Sequence, residues 1–512
     1  MRHVARAWHT RDREGPVPRY TGNERQDIMV PVCLSEQLLP GTIEHAIDKI
    51  IDHQIDTSAF DEHYRNDESG RPAYDPKALL KVVLYGYSKG MVSSQAIENA
   101  CRTNVVFMAL CGDVHPDHAT IARFITAHAS AVRRVFRDVL LVAAQGDLIR
   151  AELFALDGCK ISSNAAKEHS GTHAELERKI EKLEHRLQAM MDEHHGHDEQ
   201  DEDGGSSSGI ERYQASIDRI QSFLGENAPR IGSLGKEVKS NITDNESAKL
   251  KSGSGYLQGY NALAVVDAKH QIIVHAEAIG QINEAPLLPR MIRRSVHALR
   301  KAGLEQAERA AVVADTNYFT EANARFLLES TLDGYVPDSQ FRNRDERFAE
   351  RSRKRRAAHR KFNASDFIYD EHTDSFRCPA DKRLKRYTRT TLSGRRGTHY
   401  RSDPADCQGC ELASRCVRKT GNRRWHFVPD GPPANYAQRM REKIDTSAAR
   451  KTYSKRMGIV EPVFGNITAN KKMDRFTLRG RSKIRLQWLY FCLVHNIEKI
   501  ATTALIHSLA AG

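Results

Sequence analysis

Two short apolar runs, residues 153–156 (LFAL) and 310–314 (AAVVA), each stop at an aspartate, Asp157 and Asp315. A buried strand with this ending places a carboxylate in a cleft, although a merely solvated acid gives the same local pattern. The surrounding chain alternates between strand and helix. Residues 260–267 (YNALAVVD) and 271–278 (QIIVHAEA) predict a hairpin turning at 268–270. A helix over 285–302 follows, with Leu287, Leu288, Met291, Ile292, Val296 and Leu299 at helical steps. Another helix starts near Thr320, and a short strand is expected at 334–336.

Ahead of these elements the chain reads as helices only. Residues 36–54 carry a possible helix, and Pro76 opens a clearer one that Gly90 closes. Short helices at 95–102 and 104–111 and a long one over 119–144 complete an all-helical domain. Short helices with tight turns suit a helix-turn-helix, with Thr120 and Arg123 as readers of DNA, and equally suit a plain bundle. Between the strand at Asp157 and the hairpin, Leu176, Ile180, Leu183, Leu187 and Met190, then Tyr213, Ile217, Ile220 and Leu224, predict two heptad-patterned helices joined by an acidic Gly/Ser-rich loop.

Residues 342–361 (RNRDERFAERSRKRRAAHRK) are intensely basic, a solvated arm or a phosphate-contacting surface that includes Arg353, Arg355 and Arg356. Cys378, Cys407, Cys410 and Cys416 follow, the last three spaced C-x2-C-x5-C. Four thiols with a C-x2-C knuckle suit a structural Zn2+, with uncoordinated thiols as the other reading. Trp425, between Arg424 and His426, is a candidate base-stacking side chain or a core residue of the insertion. Near the end, residues 453–485 set one acid, Glu461, among Tyr453, Arg456, Lys471, Lys472, Arg475, Arg479, Arg481, Lys483 and Arg485. Pro462 cannot donate to the carbonyl of Gly458, so a kink or restart is expected beside Glu461. A last helix, 481–511, packs on the sheet, with His495 and Asn496 as polar core members.

With 78 Lys+Arg against 66 Asp+Glu, the net charge of +12 favours a polyanionic partner. No run reaches the roughly 18 apolar residues of a membrane span, and the charged start is no secretory signal. Nine cysteines without such a signal suit a reducing cytoplasm. Two acids on neighbouring strands and a third on a packing helix can converge on a pair of Mg2+ or Mn2+ ions, whose chemistry is phosphodiester cleavage.

The segments ALDGCKISSNAAK around Asp157, GYLQGYNALAVVD at 255–267, VVADTNYFT around Asp315, and YSKRMGIVEPVFGN through LRGRSKIRLQWLYFCLVHNIEKI together resemble the DDE transposases of bacterial insertion sequences. DPKALLKVVLYGYSKG resembles their amino-terminal domain, so the likeness covers most of residues 70–500. The resemblance implies an α/β, RNase H-like core, a mixed sheet flanked by helices. Its expected extent is 149–339 and 451–512, after an N-terminal segment, 1–70, and a helical DNA-binding domain, 71–148. A helical hairpin at 172–226 and a basic, zinc-binding region at 340–450 are its insertions.

It implies that Asp157, Asp315 and Glu461 hold Mg2+ and that Tyr453 and Arg456 contact DNA phosphates. The substrates would be terminal inverted repeats and target DNA, brought together by a homodimer on the bacterial nucleoid. One departure stands out. Seven residues after Glu461, where the family carries lysine, this chain has Thr468, and Lys471 or Lys472 would have to serve from the next turn. Two readings follow: an active transposase, and a DNA-binding relative that regulates or inhibits transposition.

Overall fold

The computed structural model describes residues 31–62, 64, 72–197, 207–232, 235–253, 255–345, 362, 366–392, 395–417, 422–430 and 436–503. Among the described residues, six helices of seven or more residues come first: α1 (Ile43–His53), α2 (Pro76–Ser88), α3 (Ser94–Thr103), α4 (Val105–Cys111), α5 (His118–Ala127) and α6 (Ala129–Gln145). Four of them, α1, α2, α4 and α5, are capped by short polar side chains that accept the orphan amides of the first turn. Asp75 accepts from Lys77 N at 2.7 Å ahead of Pro76, and Asp117 accepts from Thr120 N at 2.9 Å. Asn104 caps α4, accepting from Val106 N at 2.9 Å. The single long helix expected over 119–144 is two, broken at His128 (φ −101°, ψ 45°). That histidine is buried, its ring 5.3 Å from Phe60 and 5.1 Å from Phe124, so local packing sets the break.

The central sheet is built from β1 (Leu153–Ser162), β2 (Gly255–Asp267), β3 (Ile273–Ile279), β4 (Ala311–Ala314) and β5 (Asp333–Tyr335), in the order β3-β2-β1-β4-β5. β2 runs antiparallel to both neighbours, and β1, β4 and β5 are parallel. The strand Ala248–Ser252 pairs with the first part of β2. Between β1 and β2 the chain makes the expected helices, α7 (His173–His197) and α8 (Ser207–Glu226), joined through Leu176, Ile220 and Phe223. Helix α9 (Leu288–Lys301) follows β3, and α10 (Glu321–Glu329) lies between β4 and β5.

The cysteine-bearing segment folds as a second sheet, which its sequence does not announce. β6 (Ile368–Asp370), β7 (Ser375–Arg377), β8 (Arg383–Leu392), β9 (Arg395–Arg401) and β10 (Trp425–Pro429) form an antiparallel sheet in chain order. It has a small core of its own, Phe367, Phe376, Leu384 and Tyr400. The chain then returns through α11 (Tyr436–Asp445) to α12 (Ser447–Gly465), a π turn (Asn466–Asn470) and α13 (Arg481–Ala501). Met440 of α11 already belongs to the main core.

Helix α13 is buried almost all round because it packs on two partners. On one side Tyr87 of α2 stacks on Phe491 at 4.9 Å and meets Tyr490 edge-on at 5.7 Å. On the other, Trp488 Nε1 donates to the Leu263 carbonyl at 3.0 Å. Asn496 gives the edge strand β3 a substitute partner, accepting from Ile273 N at 2.8 Å and donating to Ile273 O at 2.9 Å. The N-terminal helices and the sheet therefore share one continuous apolar core. Burial lowers the pKa of His495 to about 4, which keeps its ring neutral beside the Gln271 carbonyl at 2.9 Å.

Candidate active site

The parallel register of β1 and β4 ends at the pair Leu156↔Ala314. Asp157 and Asp315 are the next residue on each strand, so the sheet sets the two acids side by side. β1 does not stop there: it continues to Ser162 against β2, with Asp157 opposite Ala264. Only its parallel partner ends, and the vacated side of β1 is met by α12 and by Phe476 N, which donates to Ser162 O at 2.8 Å.

From α12, Arg456 reaches both acids. Its Nη1 donates to Asp157 Oδ2 at 2.5 Å, and its Nη2 lies 3.7 Å from Asp315 Oδ1. Asp157 also accepts from Gly158 N at 2.8 Å. Burial pushes the Asp157 carboxyl up, and the neighbouring Asp315 adds to this, while Arg456 and the Gly158 amide hold it back. Tyr453, one turn earlier on α12, lies 6.0 Å from the guanidinium and packs edge-on against Phe341 at 5.4 Å. Beside Asp315 opens a cavity of about 380 Å3 whose wall includes Asp338, Phe341, Arg342, Tyr453 and Arg456.

A further acid, Glu284, is part of this group and escaped the sequence reading. It precedes the helical turn Ala285–Leu287, where an acid reads as a cap, yet its side chain makes no capping bond. Burial pushes its carboxyl up to about 7, the Asp157 charge adds to this, and Asn317 and Lys160 oppose it. A Cβ on Gly158 would stand 3.1 Å from Glu284 Oε2 and 2.4 Å from Leu263 Cδ2, so any larger residue would have to displace the Leu263 side chain.

Glu461 stands apart. It is exposed and has no hydrogen-bond or ion-pair partner among the described residues. Five helical residues separate it from Arg456, about 140° around the axis, and the position one turn beyond Arg456 belongs to the buried Val460. The expected restart at Pro462 is absent: α12 runs through it to Gly465 and passes into the π turn. The carbonyl that Pro462 cannot satisfy, Gly458 O, instead accepts from Gln271 Nε2 at 3.0 Å. Thr468 bonds back to Phe464 O at 2.7 Å within the π turn.

Lys471 points inward. It is 1% exposed and bonded to Glu498 at 2.7 Å and Asn466 at 3.0 Å, which withdraws it from any outer partner. Lys472 is exposed in a left-handed conformation (φ 54°) and packs on Gly90. Arg475, Arg479 and Arg481 are exposed, the first two lining a groove with Asn164 and Arg219. In the helical region Arg123 is exposed, whereas the Thr120 hydroxyl is committed to Asp117 at 2.9 Å. Arg353, Arg355 and Arg356 lie outside the described residues.

On the second sheet, Trp425 is 46% exposed and edge-on to Tyr387 at 5.4 Å, over which the Arg401 guanidinium lies at 3.6 Å. Cys378, Cys407, Cys410 and Cys416 line one cavity of about 20 Å3. Burial raises the Cys416 thiol, Arg424 lowers it, and the other three thiols are near enough to raise it further. Among the described residues, no group of three or more His, Cys, Asp or Glu side chains is gathered closely enough to hold a metal ion.

Residues 377–501 match the family model for a transposase DDE domain, and residues 32–127 match that for a transposase domain, DUF772. The two domains indicate a transposase. Within that class they support a DDE-type transposase of an insertion sequence. The first match contains Glu461 together with Cys378, Cys407, Cys410 and Cys416; Asp157 and Asp315 precede it. Comparison with curated proteins gave no match. No described helix is long and apolar enough to cross a membrane.

Proposed function

We propose that this chain binds the terminal inverted repeats of an insertion sequence, cuts the DNA there and joins the freed 3'-hydroxyl to a target. The observation that carries the reading is the pair of aspartates on adjacent parallel strands, held by one guanidinium from α12. The strand order β3-β2-β1-β4-β5, with β2 alone antiparallel to its neighbours, supports an RNase H-like core.

The carboxylate oxygens of Asp157 and Asp315 are hard donors of the kind Mg2+ or Mn2+ takes. They are the proposed ligands, with Glu461 as the third by resemblance. A bound divalent ion supplies Lewis acidity to the phosphodiester and to the attacking hydroxyl. Arg456 now balances the two acids, so an ion entering between them must compete with its guanidinium. Released, Arg456 and the adjacent Tyr453 face the same cavity and can take a DNA phosphate. Lys472, Arg475, Arg479 and Arg481, with Arg123 and the Trp425 platform, are the further proposed DNA contacts, and synapsis of two ends calls for a dimer.

Incubating the protein with DNA bearing the element's own ends and Mg2+ or Mn2+ tests this directly, with metal-dependent cutting at the ends as the expected result. Specific binding without metal-dependent cutting would instead establish the regulatory relative. The exposed Glu461 and the inward Lys471 are the observations on that side.

The four cysteines around one small cavity are proposed to draw together on a structural Zn2+, closer than they stand here, and so to brace the second sheet. Purified protein should then carry one zinc per chain and lose it in the Cys407→Ser, Cys410→Ser double variant. Zinc-free native protein, or zinc retained by the double variant, overturns the assignment.

A further inference from the structure

A second charged site lies away from the acid pair, on the outer strand of the sheet. β3 is separated from β1 by β2, on the side opposite β4. Its Glu277 is 6% exposed and surrounded by cations: Arg290 bonds Oε2, Arg294 Nη1 lies 2.7 Å from Oε1, and Arg485 Nη2 lies 3.8 Å from Oε2. His275 Nε2 is 3.3 Å from Oε1. Arg133 of α6 completes the wall of a cleft of about 490 Å3 that also exposes Arg294, Arg485, Phe136 and Leu489.

Three arginines thus share one carboxylate, with Arg133 as a fourth cation on the cleft wall, and a guanidinium keeps its charge at any working pH. The excess is felt within the site. Arg485 is disfavoured first by burial and then by Arg481, Arg290 and Arg133, with Glu277 alone opposing them. Arg290 Nε is buried without a partner, and Arg133 has no ion pair among the described residues. Guanidinium groups lining an open cleft form a receptor for a tetrahedral oxyanion, which accepts paired N–H donors.

We propose that this cleft binds a phosphoryl group, and that in the working protein the phosphate belongs to the backbone of duplex DNA. Only the second half rests on the function proposed above. Because α6 supplies one wall and β3, α9 and α13 the others, a phosphate held here ties the N-terminal helices and the sheet to the same duplex. It does so without touching the acid pair.

The test uses the full chain and the double variant Arg133→Ala, Arg294→Ala, both at exposed helix positions. Arg102→Ala with Arg325→Ala, two arginines paired on other helices, controls for net charge. For duplex DNA carrying the element's ends, log affinity against log salt should lose about 2 from its slope in the cleft variant and less in the control. Inorganic phosphate should raise the thermal midpoint of the native protein and not that of the cleft variant.

A DNA slope equal to that of the control overturns the assignment to DNA, whatever phosphate does. If the native protein binds no DNA, the proposed function fails instead, and the phosphate arm judges the cleft alone. A midpoint shift lost in the variant then upholds a phosphoryl site, and the absence of any shift overturns it.

Discussion

Asp157→Asn is expected to lower metal-dependent cleavage of the element's ends by about a thousandfold or more while leaving DNA binding within a few-fold. The substitution keeps size and shape and removes one hard anionic ligand. Loss of metal stabilisation at a phosphodiester is worth several kcal/mol, and roughly 4 kcal/mol corresponds to three decades of rate. The fold should tolerate the change. Arg456 retains Asp315, and the amide oxygen can still accept from Gly158 N. Single-turnover cleavage with Mg2+ and Mn2+, read beside a thermal unfolding curve, is the measurement. A rate within tenfold of the native protein would remove the acid pair from the chemistry.

The same assay separates the two remaining acids. Glu461→Gln removes an exposed carboxylate on α12, and Glu284→Gln removes one whose environment is coupled to both aspartates. A large loss in the first and a small one in the second would require α12 to turn or shift before cutting. The reverse would make Glu284 the acid that completes the site. The present geometry places Arg456, not Glu461, on the face of α12 that meets the pair.

Where a residue's surroundings come from its own strand or helix, the sequence reveals them. Asp157 and Asp315 were legible because each follows an apolar run, and the hairpin at 268–270 because two runs flank it. The second sheet was hidden for the opposite reason. In β8, Leu384 is the only buried residue of ten, so no alternation marks it as a strand. Glu284 was hidden because the charge that perturbs it most, Asp157, lies more than a hundred residues away in the chain. Lys471 misled by composition: in a basic stretch it reads as a surface cation, and only α13 brings Glu498 to it. Pro462 was read correctly as a lost hydrogen bond. The helix does not restart there, and the freed carbonyl is taken by the Gln271 side chain, whose partner role no local pattern encodes.

Glu277→Gln is expected to cost on the order of 3 kcal/mol of stability at pH 7, a loss that fades in acid. Burial alone would raise this carboxyl, but the hydrogen bond from His275 and the charges of Arg290 and Arg294 outweigh it and hold its pKa at about 2, against an ordinary value of 4.5. A depressed carboxyl stabilises the fold in its charged form. Its contribution is fully present above about 4.5 and disappears as pH falls through about 2, at roughly 1.4 kcal/mol per pH unit. Denaturant unfolding of the native and variant proteins at pH 7 and pH 3 should therefore give a difference at pH 3 less than half that at pH 7. An equal difference at both would assign the loss to packing rather than charge. Without the carboxylate the arginines keep their mutual repulsion, so an added oxyanion gains what Glu277 no longer supplies. Phosphate should consequently restore stability in Glu277→Gln by more than it adds to the native protein, because a ligand at concentration L stabilises a fold by RT ln(1 + L/Kd) and the emptied site has the smaller Kd.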